Sequence, residues 1–570
     1  MATRQSGTGG DKRMAIRLVS AGLAVLFLSL LTGCGESEAA KKAKIRGWVA
    51  QVKSNPAVAD DSNFLAQLTD YADLTAPEFA KVLKENNKPV QLAALKVLAH
   101  LKRLSVYEDL VKLSRSPDPE IRQAVATTLG SFASPLTVKP LMALATDRDP
   151  SVKGAALKAM GQKADRDAPP YLREVLPYLT AGLDDPEPLV RRGAVQGLTS
   201  LGPWALQALA QVQKEGSPQA KAEAARALRY ICESFRRDLR ESTDRLVRRD
   251  MARYLSELRY RPAIPDLIEK LQDPDPEVKA ACAYALGRLQ AREALRRLSE
   301  LLKNQKEEMP TRIAAAVALG QMGREEGVRF LISQLNSSDE KVRSASVDAL
   351  RTVGRSAEKL LLPASKSRDP LVRWGAIAVL GTIGSPSALP VLKRAVSDKE
   401  PEVRAAAVAA LGDLGDASAV PVLIAALSDK DRYVQAHAER ALEEIGKPAV
   451  PHLVKALDRP TNLVRILRLL GRLKDPSAAS QCRSFLQHRD HKVRSAAADA
   501  LGDLEDRGSA DALANLLNDR SASVRRAAAT ALGKIGSQEH LSLLRQRLRQ
   551  EKNETTRSAI IAALAIGKTQ

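Results

Sequence analysis

Aromatic residues make up only 3% of this 570-residue chain, so a core built on stacked rings is excluded. Apolar contact must come from Ala, Leu and Val, whose small side chains let helices approach closely. Cysteine is scarce as well, at positions 34, 232, 282 and 482. No pair forms CxxC and none has a His-rich neighbourhood, which removes sequence support for zinc or haem attachment. Cys282 falls four residues after Val278 on the apolar side of a helical pattern, where a small buried hydrophobe is expected. An oxidising compartment would permit a Cys232–Cys282 disulfide, whose geometry the sequence leaves open. The six histidines, His100, His437, His452, His488, His491 and His540, are never followed directly by Glu, and His437 and Glu439 point to different sides of a helix. No GxSxG, P-loop or dinucleotide fingerprint occurs. Catalytic, cofactor and metal sites are therefore expected to be absent.

What is abundant is repetition. The fragments DPEIRQAVATTLG from Asp118, DPSVKGAALKAMG from Asp149, DPEVKAACAYALG from Asp275, DPLVRWGAIAVLG from Asp369 and HKVRSAAADALG from His491 recur about every 31 residues. An apolar residue precedes a basic one at Ile121, Val152, Val190, Val278, Val342, Val372, Val403, Val493 and Val524, and Val434 holds the same place before Gln435. Such a period marks a solenoid, in which each unit buries its apolar face only on its neighbours.

One unit, residues 401–429, shows the build. Val403, Ala406, Ala407, Ala410 and Leu411 form a single helical stripe. Gly412 follows and is expected to take the positive φ of a helix end. A polar turn leads to Val420-Pro421, with Pro tolerated in the first turn of a second helix. Asp431 then stands three residues before Val434, as Asp118, Asp149, Asp275, Asp339, Asp369 and Asp490 stand before their own stripes. Each is expected to accept a backbone N–H as an N-cap.

Aspartate, apolar-Arg, an Ala-rich helix ending Leu-Gly and a Pro-started partner together resemble HEAT repeats, especially the bacterial short form seen in bilin lyases. The resemblance covers about residues 89–570. It implies an all-α fold, an α-α superhelix of about 15 or 16 helical hairpins, with the Pro-started helix as A and the Asp-capped one as B on the concave side. Basic residues follow the stripe's first position at Arg122, Lys153, Arg191, Lys279, Arg343, Arg373, Arg404, Arg494 and Arg525. They read either as a ladder for phosphates or, as the resemblance implies, as partners of Asp in the same or an adjacent repeat; the second reading is preferred. Deoxyhypusine hydroxylase uses the same repeats to present His-Glu pairs to two irons, and those pairs are missing here. The register is irregular near residues 160–188, 200–262 and 455–475: the gap from Val152 to Val190 is 38 residues, with a longer connection expected around residues 166–170. Residues 34–54 read as a tether or first helix, and 55–88 as a polar N-terminal cap.

The N-terminus has a different character. Lys12, Arg13 and Arg17 precede an apolar run at residues 18–31, which is too short for a stable membrane span, and Leu31-Thr32-Gly33-Cys34 follows. This is similar to the signal and lipobox of bacterial lipoproteins. That likeness implies removal of residues 1–33 and a membrane anchor on Cys34 facing the periplasm or cell exterior. Gly35 in place of Asp mildly favours the outer membrane, and Met14 is an alternative start. The net charge of +21 falls to +18 without residues 1–33, a surface expected to attract anionic partners.

On a B helix the positions two and six after the stripe's first residue lie at about 200° and 240°, opposite the buried side. Lys158, Arg192, Arg226, Arg249, Arg253 and Tyr284 are thus expected to form a cationic stretch with an aromatic edge. Ile313, Val317 and Trp374 are expected to continue it as an apolar strip, with Trp374 as the leading anchor. Residues 226–261 carry 11 basic and 6 acidic side chains, an anionic-surface candidate. The expected function is a non-catalytic, lipid-anchored scaffold that binds a protein or extended peptide on the concave face. The alternative is an enzyme or enzyme accessory of the bilin-lyase or metal-dependent oxidoreductase type. Nucleic acid is disfavoured as a partner unless the chain stays in the cytoplasm.

Overall fold

The computed structural model describes residues 37–132, 134–162 and 171–566. The signal segment, Cys34 and the connection at residues 166–170 lie outside the described residues. All regular elements among those described are α- or 3-10 helices. The chain forms two compact units, residues 1–234 and 235–570.

The first unit begins with helices Glu38–Ser54, Ser62–Thr69 and Ala72–Val82, which bury Trp48, Val52, Phe64, Leu68 and Phe79. The hairpins follow. Their B helices in this unit include α1 (Pro119–Ser131), α2 (Pro150–Gly161) and α3 (Pro188–Leu201). The second unit contains α4 (Arg245–Glu257), α5 (Pro276–Arg288), α6 (Met309–Gln321), α7 (Glu340–Val353), α8 (Pro370–Ile383), α9 (Pro401–Leu414), α10 (Arg432–Ile445), α11 (Leu463–Leu473), α12 (His491–Asp503) and α13 (Ala522–Ile535). Many A helices are short and enter through a 3-10 turn, as at Ala417–Ala419 before Val420–Ala426.

The capping aspartates act as expected. Asp118, Asp149, Asp275, Asp339, Asp369, Asp431 and Asp490 each accept the backbone N–H two residues on, at 2.7–2.9 Å. At Arg122, Arg373, Arg404 and Arg494 the basic residue of the stripe pairs with a different carboxylate, two positions before the next cap. Arg122 makes a two-pronged bond to Asp147 at 2.7 and 2.9 Å, Arg373 to Asp398, Arg404 to Asp429, and Arg494 to Asp519. The same arginines place Nη1 on the backbone carbonyls six and five residues earlier, as Arg404 does on Asp398 and Lys399. Each rung therefore ties one repeat to the next by a charge-assisted fork.

The Leu-Gly glycine does something other than expected. Gly412 lies inside α9, and the positive φ of 65° falls on Gly415. A Cβ on Gly412 would stand 2.8 Å from Cα and Cβ of Ala441 in α10. The same closeness holds between Gly381 and Ala410, Gly471 and Ala500, and Gly502 and Ala531. The glycine is kept because successive B helices meet there backbone against backbone.

Candidate docking grooves on the B helices

Grooves open between consecutive B helices, and most of the positions singled out in the sequence line them. In the first unit, α1, α2 and α3 enclose about 320 Å³ lined by Lys158, Arg192 and Gln196 over a floor of Gly154, Ala155, Ala159 and Gly193. Among the described residues no carboxylate belongs to this lining, and neither Lys158 nor Arg192 has an acidic partner. Arg226 is exposed, pairs with Glu223 at 2.9 Å, and does not line that groove.

In the second unit, α4 and α5 with the start of α6 enclose about 660 Å³, lined by Arg249, Arg253, Tyr284, Arg288, Pro276 and Pro310. Arg249, Arg253 and Tyr284 are together, as expected. Their surroundings are not the cationic zone that residue counting implies. Arg249 pairs with Glu277 at 3.0 Å and Asp250 at 3.2 Å, and Arg253 with Glu257 at 3.8 Å. Arg240 and Arg236 share Asp266, Arg245 reaches Asp275, and Arg248 forks onto Asp273. Much of the basic excess of residues 235–261 is thus consumed by structural pairs.

Ile313 and Val317 are corrected outright: they are 4% and 0% exposed. From Ile313 to Leu319 the sequence Ile-Ala-Ala-Ala-Val-Ala-Leu offers no polar side, and a helix apolar all round is one that packs all round. Each of those residues is buried. A Cβ on Gly327, in the following A helix, would meet the Ala316 carbonyl at 2.2 Å, which shows how tightly α6 is held.

The third groove is the most distinctive. Helices α7 to α10 enclose about 570 Å³. Trp374 of α8 stands on one side and Tyr433 and His437 of α10 on the other. Between them, α9 supplies a floor of Ala405, Ala406, Ala409 and Ala410. Trp374 is half-buried, while Tyr433 is 79% exposed and Leu371 41%. Tyr433 was not apparent from the sequence, since it stands one place before its stripe, outside the two-and-six rule. Glu402 and Asp413 line the groove without an ion-pair partner among the described residues, and Arg351 is held by Asp348 at 3.0 Å. A fourth groove, between α11, α12 and α13, encloses about 290 Å³ and contains Asp499, Asp503 and Lys534. Burial pushes the Asp499 carboxyl above the usual range despite the cations around it.

Chemistry requiring a reactive thiol is poorly served. Cys232, Cys282 and Cys482 are free and buried, and burial pushes the Cys232 and Cys482 thiols up to about 12. Among the described residues no group of three His, Cys, Asp or Glu side chains is placed to hold a metal ion.

The sequence model for HEAT repeats matches residues 76–161, 138–229, 233–320, 264–351, 328–400, 392–467, 451–522 and 485–565. The chain is a HEAT-repeat protein. No curated protein matches its sequence. Among solved structures this HEAT-repeat chain is similar to the complex of CpcE and CpcF of phycocyanin lyase from Nostoc sp. PCC7120, with 26% identity over 37% of this chain and 94% of that one and a TM-score of 0.21. A Kap121p mutant gives 15% identity over 87% of this chain and 57% of its own, with a TM-score of 0.33. Human deoxyhypusine hydroxylase gives 22% over 48% and 96%, with a TM-score of 0.19.

Proposed function

We propose that this HEAT-repeat protein is a non-catalytic scaffold that holds an extended segment of another protein against its B helices. The segment is expected to lie in the groove of α7 to α10. The observation that carries this is the alanine floor between Trp374 and the exposed Tyr433. Small side chains leave room for a bound backbone, and an aromatic at each side supplies rigid anchors of the kind enriched at binding hot spots. Glu402 and Asp413, without an ion-pair partner among the described residues, favour a segment that carries a basic residue beside its apolar anchor.

The lipid anchor belongs to the same reading. Lys12, Arg13 and Arg17, the apolar run and Leu31-Thr32-Gly33-Cys34 support export and acylation of Cys34. The scaffold would then sit at a bacterial membrane, facing the periplasm or exterior, with the outer membrane favoured by Gly35. Metabolic labelling with a fatty acid tests the anchor: label on the wild type and none on Cys34→Ser is expected, and equal labelling contradicts it. Crosslinking in intact cells followed by partner identification tests the scaffold. A protein recovered with wild type and lost with Trp374→Ala supports it, whereas identical recovery from both contradicts it.

A further inference from the structure

The ladder of arginines contains its own internal comparison. Arg122, Arg248, Arg373, Arg404, Arg494 and Arg525 all dock Nη1 on carbonyls six and five residues back, and all turn Nε and Nη2 onto a carboxylate: Asp147, Asp273, Asp398, Asp429, Asp519 and Glu551. Arg343 of α7 docks in the same way, with Nη1 on the carbonyls of Ser337 at 2.8 Å and Ser338 at 3.2 Å. Arg191 docks likewise but leaves Nε sealed without a hydrogen bond, 3.6 Å from Glu223; at Arg343 no carboxylate among the described residues receives the fork at all.

Ser367 occupies the place of the missing acid. Its carbonyl accepts Arg373 Nη1 at 3.0 Å, as the Asp398 carbonyl accepts Arg404 Nη1 at 3.1 Å. Its hydroxyl accepts the Asp369 N–H at 3.2 Å, as Asp398 accepts the Glu400 N–H at 3.1 Å. Backbone and cap are reproduced; only the carboxylate is missing. The spacing is compatible, since the paired acids already stand at 25 or 26 residues from their arginines and Ser367 stands at 24. Arg343 is only half-buried, and its Nε and Nη2 are not among the sealed, unpartnered polar atoms of the described residues.

We propose that the open rung between Arg343 and Ser367 is a carboxylate-binding site. A planar two-oxygen anion would take the two-pronged seat that Asp398 fills one repeat later, with the Ser367 hydroxyl beside it. The carboxylate comes either from a free small anion or from an acidic side chain of a bound protein, and the site is independent of the Trp374 groove.

The test is hydrogen exchange of the first turn of α8 in the full-length chain, at fixed ionic strength. It compares chloride, acetate and acetyl-triglutamate amide for wild type, Ser367→Asp and Arg343→Gln. Ser367→Asp is expected to close the rung and slow exchange about tenfold in chloride. Wild type is expected to gain protection from acetate or from the peptide, and both variants to gain none. Protection by acetate and peptide alike identifies a free-anion site; protection by the peptide alone identifies a protein-borne acid. Equal protection of wild type and Arg343→Gln, no protection by either ligand, or unchanged exchange in Ser367→Asp would each overturn the proposal.

Discussion

The forked arginine is the residue on which the stack turns. Arg404 is 6% exposed and Asp429 12%, so removing one partner strands the other away from water. Arg404→Met is expected to cost about 3 kcal/mol, read by denaturant melts of the affected repeats. The Arg404 bond, chief among its causes, holds the Asp429 carboxyl below its ordinary value, and Arg122 does the same to Asp147. A depressed carboxylate contributes stability that is complete above its unfolded pKa, roughly 4, and is lost as pH falls through the folded value. Wild type should therefore lose stability below about pH 4, and Arg404→Met should lose less over that window. Asp499 has the opposite sign. Its carboxyl is raised by burial, so its charge weakens the fold at neutral pH and protonation relieves it. Asp499→Asn should raise the melting midpoint at pH 7, with the gain disappearing below about pH 4. The rung itself was half legible: the recurring basic residue shows in the sequence, while its acceptor hides two places before the capping Asp in strings such as Asp147-Arg148-Asp149. With two acids so close, only the arginine's direction decides which one caps and which one pairs.

At the scale of the helix, spacing revealed the stripe but not the approach distance. The period of Val403, Ala407 and Leu411 gives α9 and its buried side directly. It does not distinguish a glycine that ends a helix from one that admits a neighbour, because both follow Leu near the end of the pattern. Contact decides between them. Gly381→Ala would place a Cβ 2.4 Å from the Ala410 Cβ and 2.8 Å from its Cα. Overpacking of about 1–3 kcal/mol exceeds the roughly 1 kcal/mol that Ala gains in helix propensity. A net loss of about 1 kcal/mol is expected, measurable as a lower denaturation midpoint. The misreading of Ile313 and Val317 has a related cause. The two-and-six rule assumes one exposed side, and α6 has none; its run of seven apolar residues was the available signal.

Across the whole molecule, repetition disclosed the architecture and composition misled about charge. Counting 11 basic against 6 acidic residues in 226–261 cannot see that Asp266, Asp273, Asp275 and Glu277, beyond that window, take up those arginines. Cations without an acidic partner among the described residues instead face the groove of α1 to α3, at Lys158 and Arg192. Each repeat contacts mainly its neighbours, so the changes above should act locally and add when several repeats separate them. For the groove of α7 to α10, Trp374→Ala should weaken partner binding by about thirtyfold or more, as loss of a hot-spot anchor worth roughly 2 kcal/mol does. Arg253→Glu, in a groove already balanced by Glu257, Glu277 and Asp250, should change it little.

The proposed function stands or falls with a protein segment lying on the alanine floor between Trp374 and Tyr433. The most direct measurement is photocrosslinking in intact cells with benzoylphenylalanine at Tyr433, compared with the same group at the exposed Arg394 of an A helix. A discrete protein adduct from position 433 that Trp374→Ala abolishes, with none from position 394, is the result predicted. No adduct at 433, or the same adduct at both positions, would contradict it.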